Sequence, residues 1–136
     1  MDTGEAIDVI RHQHRAVLAT VRGDGHPQLS PVAAGVLGDT VVVSSRETAM
    51  KVRNLRRRPY ASVCVFGDTF FGQPWVQVEG PAEVVSLPEA LDLLVDYYRN
   101  VSGEHPDWDE YRAAMVSERR VLIRVRVERA GPDRAG

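Results

Sequence analysis

The dipeptide Gly80-Pro81 interrupts an otherwise regular strand pattern, and it constrains the fold more than any other feature of the sequence. Apolar and polar residues alternate over residues 75–79, and a strand pattern resumes over residues 82–85. Proline cannot donate a hydrogen bond to a neighbouring strand and glycine weakens a strand interior, so the pair predicts a bulge that bends the strand. Strands bent in this way form the corners of β-barrels.

Five further segments have the composition of short strands. Residues 15–22 and 26–37 flank Gly23-Asp24-Gly25, a tight-turn sequence that predicts a hairpin. The other strand segments are residues 40–43, 60–67 and 120–128. Between residues 67 and 75 the chain is predicted to form a loop that exposes Phe70 and Phe71. With the bent segment, the sequence predicts six strands.

Four helical segments lie between and in front of these strands. Residues 5–13, 88–100 and 106–117 place apolar side chains on one helical face. A fourth helix is predicted to begin between residues 45 and 48 and to end by residue 58, because Pro59 disfavours a helical conformation just before it. The serine-to-glutamate spacing of a capping box precedes two of the helices, at Ser44 and Glu47 and at Ser86 and Glu89.

No alternation of strand and helix runs the length of the chain, which disfavours a parallel doubly wound sheet. We predict a mainly β (α+β) fold, a six-stranded antiparallel barrel with peripheral helices. The length of 136 residues fits one domain over residues 1–136, with a frayed polar tail over residues 130–136. No apolar run approaches twenty residues and the first residues do not resemble a signal peptide, so we expect a cytoplasmic protein without a membrane span.

Positive charge is concentrated in residues 44–59, which hold six of the seventeen basic side chains and one acid in a chain of net charge −2. A strand that ends at serine hydroxyls and the start of a basic helix provides donors and cations for an anion. Lys51 is the only lysine of the chain, and its flexible ammonium suits a phosphate. The alternative is that the arginines form a solvated helix face. We do not expect nucleic-acid binding, because the chain is net acidic and the run contains no aromatic residue that could stack on bases before Tyr60.

No nucleophile, metal site or nucleotide loop is apparent. The serines lie outside any Gly-x-Ser-x-Gly sequence, Cys64 lies in a buried strand pattern, and the four histidines lack the spacing of metal ligands. We therefore predict no catalytic residue and no metal. An anion site without a nucleophile is typical of a protein that holds a phosphorylated cofactor, which performs the chemistry.

Four segments, residues 18–30, 51–59, 78–80 and 98–112, together resemble the split β-barrel flavin and deazaflavin oxidoreductases. These form the pyridoxamine-5'-phosphate-oxidase-like superfamily, and the segments most resemble its actinobacterial branch that uses coenzyme F420. The resemblance covers nearly the whole chain in the same order. It implies a split barrel and a homodimer with two composite cofactor sites at the interface.

The resemblance also implies roles for individual residues. Lys51 would bind the cofactor phosphate with Ser44 and Ser45. The backbone of residues 30–32 would lie along the ring system, and Trp75 or Gln77 of the other subunit would close the groove. Relatives often have an arginine where this chain has Ala49, and Arg46 could replace that charge. The candidate cofactor-binding residues are Ser30, Pro31, Val32, Ser44, Ser45, Arg46, Lys51, Arg53, Asn54, Trp75 and Gln77.

The implied activity is an F420-dependent oxidoreductase, a reductase that transfers hydride between the deazaflavin and a small conjugated organic substrate. Two alternatives stay open at this point. The first is an FMN-binding oxidoreductase of the same superfamily, and the second is a non-catalytic protein that carries F420 or a flavin.

Overall fold

The computed structural model describes residues 1–69 and 74–133, and Phe70 and Phe71 lie outside that part of the chain. Its eight strands are β1 Arg15–Val21, β2 Pro27–Ala33, β3 Gly35–Leu37, β4 Thr40–Arg46, β5 Tyr60–Phe66, β6 Val76–Val85, β7 Arg120–Arg126 and β8 Arg129–Gly131. Its four helices are α1 Thr3–Ile10, α2 Met50–Arg57, α3 Ala90–Ser102 and α4 Trp108–Ser117.

All strand pairs are antiparallel, in the order β2-β1-β5-β6-β7-β4-β3, and β8 pairs with β6. The sheet closes on itself through β6, whose residues 76–81 pair with β5 and whose residues 82–85 pair with β7. The fold is therefore the predicted split β-barrel with peripheral helices.

β6 changes partner between Pro81 and Ala82, directly after Gly80. The chain that leaves β7 crosses β6 at this point, where the Glu128 N–H donates to the Glu79 carbonyl over 3.0 Å. A Cβ on Gly80 would overlap the carbonyl oxygen of Arg126 and lie 3.2 Å from the Glu128 nitrogen. Glycine is thus required by the close approach of two backbones, and β6 bends without being interrupted.

The alternating side chains of the strands form two cores. One core fills the barrel and includes Val41 and Val43 of β4, whereas Val42 points to the opposite face and packs with Leu94 of α3 and Leu122 of β7. β4 is therefore buried on both sides, and α3 and α4 are fixed against the outer face of the sheet.

The prediction of six strands missed two short ones. The segment predicted as one strand over residues 26–37 divides at Ala34, because β2 pairs with β1 whereas β3 pairs with β4. Ala130 and Gly131 were predicted to lie in a frayed tail, but they form β8 against Gln77 and Val78 of β6.

Both predicted capping boxes are wrong. β4 continues to Arg46 because its hydrogen-bonded ladder with β7 extends that far, so Ser44 lies in a strand and α2 begins only at Met50. Glu47 forms an ion pair of 2.7 Å with Arg56 instead. At the second position α3 begins at Ala90 without a side-chain cap, and the Ser86 hydroxyl donates to the Glu47 carboxylate over 3.3 Å.

Candidate functional site

An open pocket of about 390 Å³ lies between β2, β4, the start of α2 and the start of β7. It brings together six of the eleven candidate residues, from three separate parts of the sequence. The pocket is lined by Pro31, Val32, Ala33, Ser44, Ser45, Arg46, Ala49, Lys51 and Arg120.

The antiparallel register of β4 and β7 places the cationic side chains. Arg46 lies directly opposite Arg120, at the end of both strands. The turn that leads into β7 is tight, because Arg119 adopts the left-handed conformation with φ of 54° and its carbonyl accepts the Glu47 N–H over 3.0 Å. The chain therefore presents two arginines at one edge of the pocket.

A single carboxylate holds both arginines. The Glu118 Oε1 atom accepts from Arg46 over 3.3 Å and from Arg120 over 3.1 Å and 3.0 Å. The hydrogen bond from Arg46, followed by that from Arg120, keeps the pKa of Glu118 below its ordinary value. Glu118 is therefore an anion that fixes the two guanidinium groups at neutral pH.

Lys51 adds a charge that this carboxylate does not balance. Its side chain is half-buried, and none of the ion pairs found in residues 1–69 and 74–133 includes it. Burial lowers the pKa of Lys51, and the nearby Arg120 guanidinium lowers it further. The three cations at the pocket are thus opposed by one carboxylate, and an anionic ligand would relieve their mutual repulsion.

The helix start beside Lys51 is also without a partner. Ala49 is the N-cap residue and provides no side-chain hydrogen bond. In the described part of the chain, the backbone N–H groups of Met50 and Lys51 have no acceptor. Free N–H groups at a helix N-terminus carry partial positive charge and bind anions.

This donor set fits a phosphate group. Ser45 is 3% exposed, and within the described residues its hydroxyl has no hydrogen-bond partner, so it is available to a ligand at the pocket wall. Hydroxyls, an ammonium, a guanidinium and free backbone N–H groups are the donors that recognise phosphate oxygens. The residues that are present therefore match the phosphate part of the predicted cofactor, and we name this pocket of about 390 Å³ the phosphate pocket for that fit.

Three other candidate residues lie away from the pocket wall. Ser30 is half-buried opposite Leu18, and Arg53 is exposed on α2. Asn54 is 1% exposed and faces the β1–β2 hairpin, where it donates to Thr20 over 3.1 Å and to Gln28 over 2.9 Å.

The fully paired amide of Asn54 explains its burial. Its oxygen accepts from Arg57 over 3.0 Å, and the same guanidinium group donates to the Val21 carbonyl over 3.1 Å. A buried polar group without partners would be costly, whereas this one joins α2 to the hairpin and so supports the pocket indirectly.

The last two candidates, Trp75 and Gln77, lie at a different place in the same chain. They line a larger cavity of about 670 Å³ with Glu79, the amino terminus and the β8 region. Trp75 is 39% exposed. One copy of the chain does not bring these residues to the phosphate pocket.

Arg120 lines the pocket but was not among the candidate residues predicted from the sequence. It lies more than seventy residues after Arg46, and only the register of β4 with β7 brings the two together. An arginine at the start of a predicted strand is too common a feature to indicate a site.

No cluster of three metal-ligating side chains occurs within residues 1–69 and 74–133. The helices of this described part include none that is long and apolar enough to cross a membrane.

Comparison with solved structures supports the fold. A conserved hypothetical protein from Mycobacterium tuberculosis, Rv2991, is 26% identical with a TM-score of 0.78, and the match covers 100% of this chain and 92% of that one. An F420 reductase is 21% identical with a TM-score of 0.70, over 91% of this chain and 94% of that one. A heme binding protein from Mycobacterium smegmatis is 24% identical with a TM-score of 0.70, over 97% of this chain and 55% of that one.

The family model described as pyridoxamine 5'-phosphate oxidase matches residues 3–132. The match includes every strand of the barrel and all residues that line the phosphate pocket. The chain therefore belongs to the pyridoxamine 5'-phosphate oxidase family.

Proposed function

We propose that this protein is an F420-dependent oxidoreductase that reduces a small conjugated organic substrate. The observation that carries the proposal is the pocket in which Lys51, Ser44, Ser45, Arg46 and Arg120 surround the free start of α2. Such a pocket suits the phosphate group of a cofactor, and its lining includes no His, Asp or Glu that could act as a general base to activate Ser44 or Ser45 as a nucleophile.

The choice of F420 over FMN rests on two supports. The sequence segments that resemble the F420-dependent branch include Lys51 and residues 98–112. The fold is also similar to that of an F420 reductase. FMN carries a phosphate as well, so the pocket itself accepts either cofactor, and the flavin enzyme is the alternative.

The residues of this chain would bind and orient the cofactor. Lys51, the serine hydroxyls and the free N–H groups of α2 would hold its phosphate, and the backbone of residues 30–32 would lie along its ring system. A bound deazaflavin supplies a hydride donor that resists oxidation by oxygen. No general acid is assigned among the candidate residues, so we infer that the proton that completes a reduction comes from solvent.

Titration with the two cofactors tests the proposal. F420 fluorescence is expected to change on binding with a Kd below tens of micromolar, and FMN is expected to bind at least about tenfold more weakly, a difference of about 1.4 kcal/mol. Protein that is yellow on purification and releases flavin on denaturation would favour the FMN enzyme. Tight F420 binding without turnover across a panel of conjugated substrates would favour a carrier protein.

We further propose that two copies of the chain pair through the outer face of β1, β2, β5 and β6. The strand registers align Pro31, Val17, Cys64 and Gln77 in one row across these four strands. Pro31 lines the phosphate pocket and Gln77 lines the larger cavity. A second copy on this face would therefore bring its own β6 close to the first pocket.

Exposed apolar side chains support the same face. Leu29 is 65% exposed and Phe66 is 38% exposed, on the outward side of β2 and β5. Exposed apolar groups on one face of a sheet are typical of an interface. The composite site implied by the family resemblance would then join Trp75 and Gln77 of one copy to the phosphate pocket of the other.

A charge placed in the centre of this face is expected to separate the dimer. Light scattering should give wild-type protein about twice the mass of the 15.1 kDa chain, and Val17→Glu should give a monomer with weakened F420 binding because an unpaired carboxylate resists burial. The control is Val116→Glu, at an exposed valine on α4. Unchanged mass in Val17→Glu would argue against this interface.

A further inference from the structure

Tyr97 of α3 lies behind the wall of the phosphate pocket, at the gap between the two edges of the barrel. Its hydroxyl donates to the Ala33 carbonyl at the end of β2 over 2.7 Å. Burial raises the pKa of Tyr97, and the backbone amide of Ser44 in β4 and the Arg120 guanidinium lie close enough to act in the opposite direction. The hydroxyl is therefore a neutral donor at neutral pH, placed between β2 and β4.

The two strands on either side of Tyr97, β2 and β4, are not paired with each other. β2 is one end of the sheet and pairs only with β1, and β4 pairs with β3 and β7. Ala33 and Ser44, on opposite sides of the gap, both line the phosphate pocket. No backbone hydrogen bond between the two strands sets their separation in the described part of the chain.

A second contact one helical turn further along α3 supports the same junction. The side-chain oxygen of Asn100 accepts the Val36 N–H over 2.8 Å. The fit is close, since a Cβ on Gly35 would lie 2.8 Å from that oxygen and 3.4 Å from the Tyr97 ring. α3 therefore holds the connection between β2 and β3 from outside, and Tyr97 is the polar contact nearest to the pocket.

We propose that Tyr97 is a positioning residue that sets the distance between the ring-binding strand β2 and the phosphate-binding strand β4. The inference rests on the proposed function, because it concerns how one cofactor spans both strands. Inorganic phosphate is small enough to contact only the β4 and α2 side of the pocket, so its binding does not depend on the separation of the two strands. The whole cofactor must meet both sides at once, so a change in their separation affects it selectively.

The test compares phosphate and cofactor binding in Tyr97→Phe, which removes one hydroxyl. Inorganic phosphate is titrated by following the amide NMR signals of Met50 and Lys51, and F420 and FMN are titrated by fluorescence. We expect phosphate affinity to stay within about twofold, F420 affinity to fall about tenfold, and the spectrum of the bound deazaflavin to shift.

Tyr111→Phe is the matched control. Tyr111 is a buried tyrosine of the same helical layer, whereas Tyr97 is partly buried. The Tyr111 hydroxyl donates to the Leu94 carbonyl over 2.9 Å, between α3 and α4 and away from the pocket. Both variants should lose similar stability, and only Tyr97→Phe should lose cofactor affinity. Equal cofactor affinity in the two variants, or parallel loss of phosphate and cofactor binding in Tyr97→Phe, would overturn the inference.

Failure of the proposed function gives a different result. Wild-type protein that binds neither cofactor would reject the proposed function itself, and with it the inference.

Discussion

Gly80→Ala is expected to destabilise the protein by about 3 kcal/mol or more, or to prevent folding. The added Cβ would overlap the carbonyl oxygen of Arg126 and lie 3.0 Å from the carbonyl carbon. Both atoms belong to backbone, which cannot move aside as a flexible side chain can. Separating the two chain segments would also stretch the hydrogen bond from Glu128 to Glu79, at the point where β6 changes partner.

Urea unfolding measures this effect. The midpoint should fall strongly in Gly80→Ala, and the dependence of free energy on urea should stay the same if the native fold is retained. Gly23→Ala is the control, because a Cβ there would meet only the end of the Arg57 side chain, at 3.6 Å. A free energy of unfolding within about 1 kcal/mol of the wild-type value would show that the backbone beside Gly80 can accommodate a Cβ atom.

Lys51→Met is expected to weaken the proposed F420 binding by about ten- to 100-fold, since a hydrogen bond to a charged group contributes about 1.5 to 3 kcal/mol. The stability of the cofactor-free protein should not fall. Burial lowers the pKa of Lys51 in the folded state, so the charged form is disfavoured by folding at neutral pH. The loss of stability caused by charged Lys51 disappears only as the pH rises through the lowered pKa of the folded state towards the ordinary lysine pKa of the unfolded state. Methionine carries no charge and removes this loss at every pH.

Fluorescence titration and thermal unfolding together test the prediction. The control is Arg58→Met, which removes an exposed cation at the other end of α2 and should change F420 affinity by less than about threefold. Equal losses in the two variants would mean that the basic run attracts the cofactor only through its overall charge. A large loss of cofactor-free stability in Lys51→Met would contradict the proposed electrostatic penalty.

The sequence predicted the barrel because strand periodicity and the Gly80-Pro81 bend are local signals. The limits of β4 could not be predicted, because the serine and glutamate near its end satisfy a capping pattern and only pairing with β7 keeps Ser44 extended. β8 has three residues, too few for a periodic pattern. It forms because β6 offers an edge at that point.

The candidate site was predictable where it depends on neighbours in sequence. Lys51 and the two serines lie within eight residues of one another, so composition was enough to indicate them. Arg120 depends on the register of distant strands, and Asn54 depends on which way α2 faces the hairpin. Both depend on tertiary packing, which the periodicity of a helix as short as the eight residues of α2 does not determine.

If the protein binds a phosphorylated cofactor as proposed, the supply of that cofactor should affect the lifetime of the protein in the cell. Met50 and Lys51 leave two N–H groups of α2 unsatisfied, and a bound phosphate would satisfy them only in the folded state. A ligand present at about one hundred times its Kd adds about 2.7 kcal/mol to stability. Proteases act on the transiently opened chain, so molecules that have not acquired a cofactor would be removed first, and the cell would retain the loaded form.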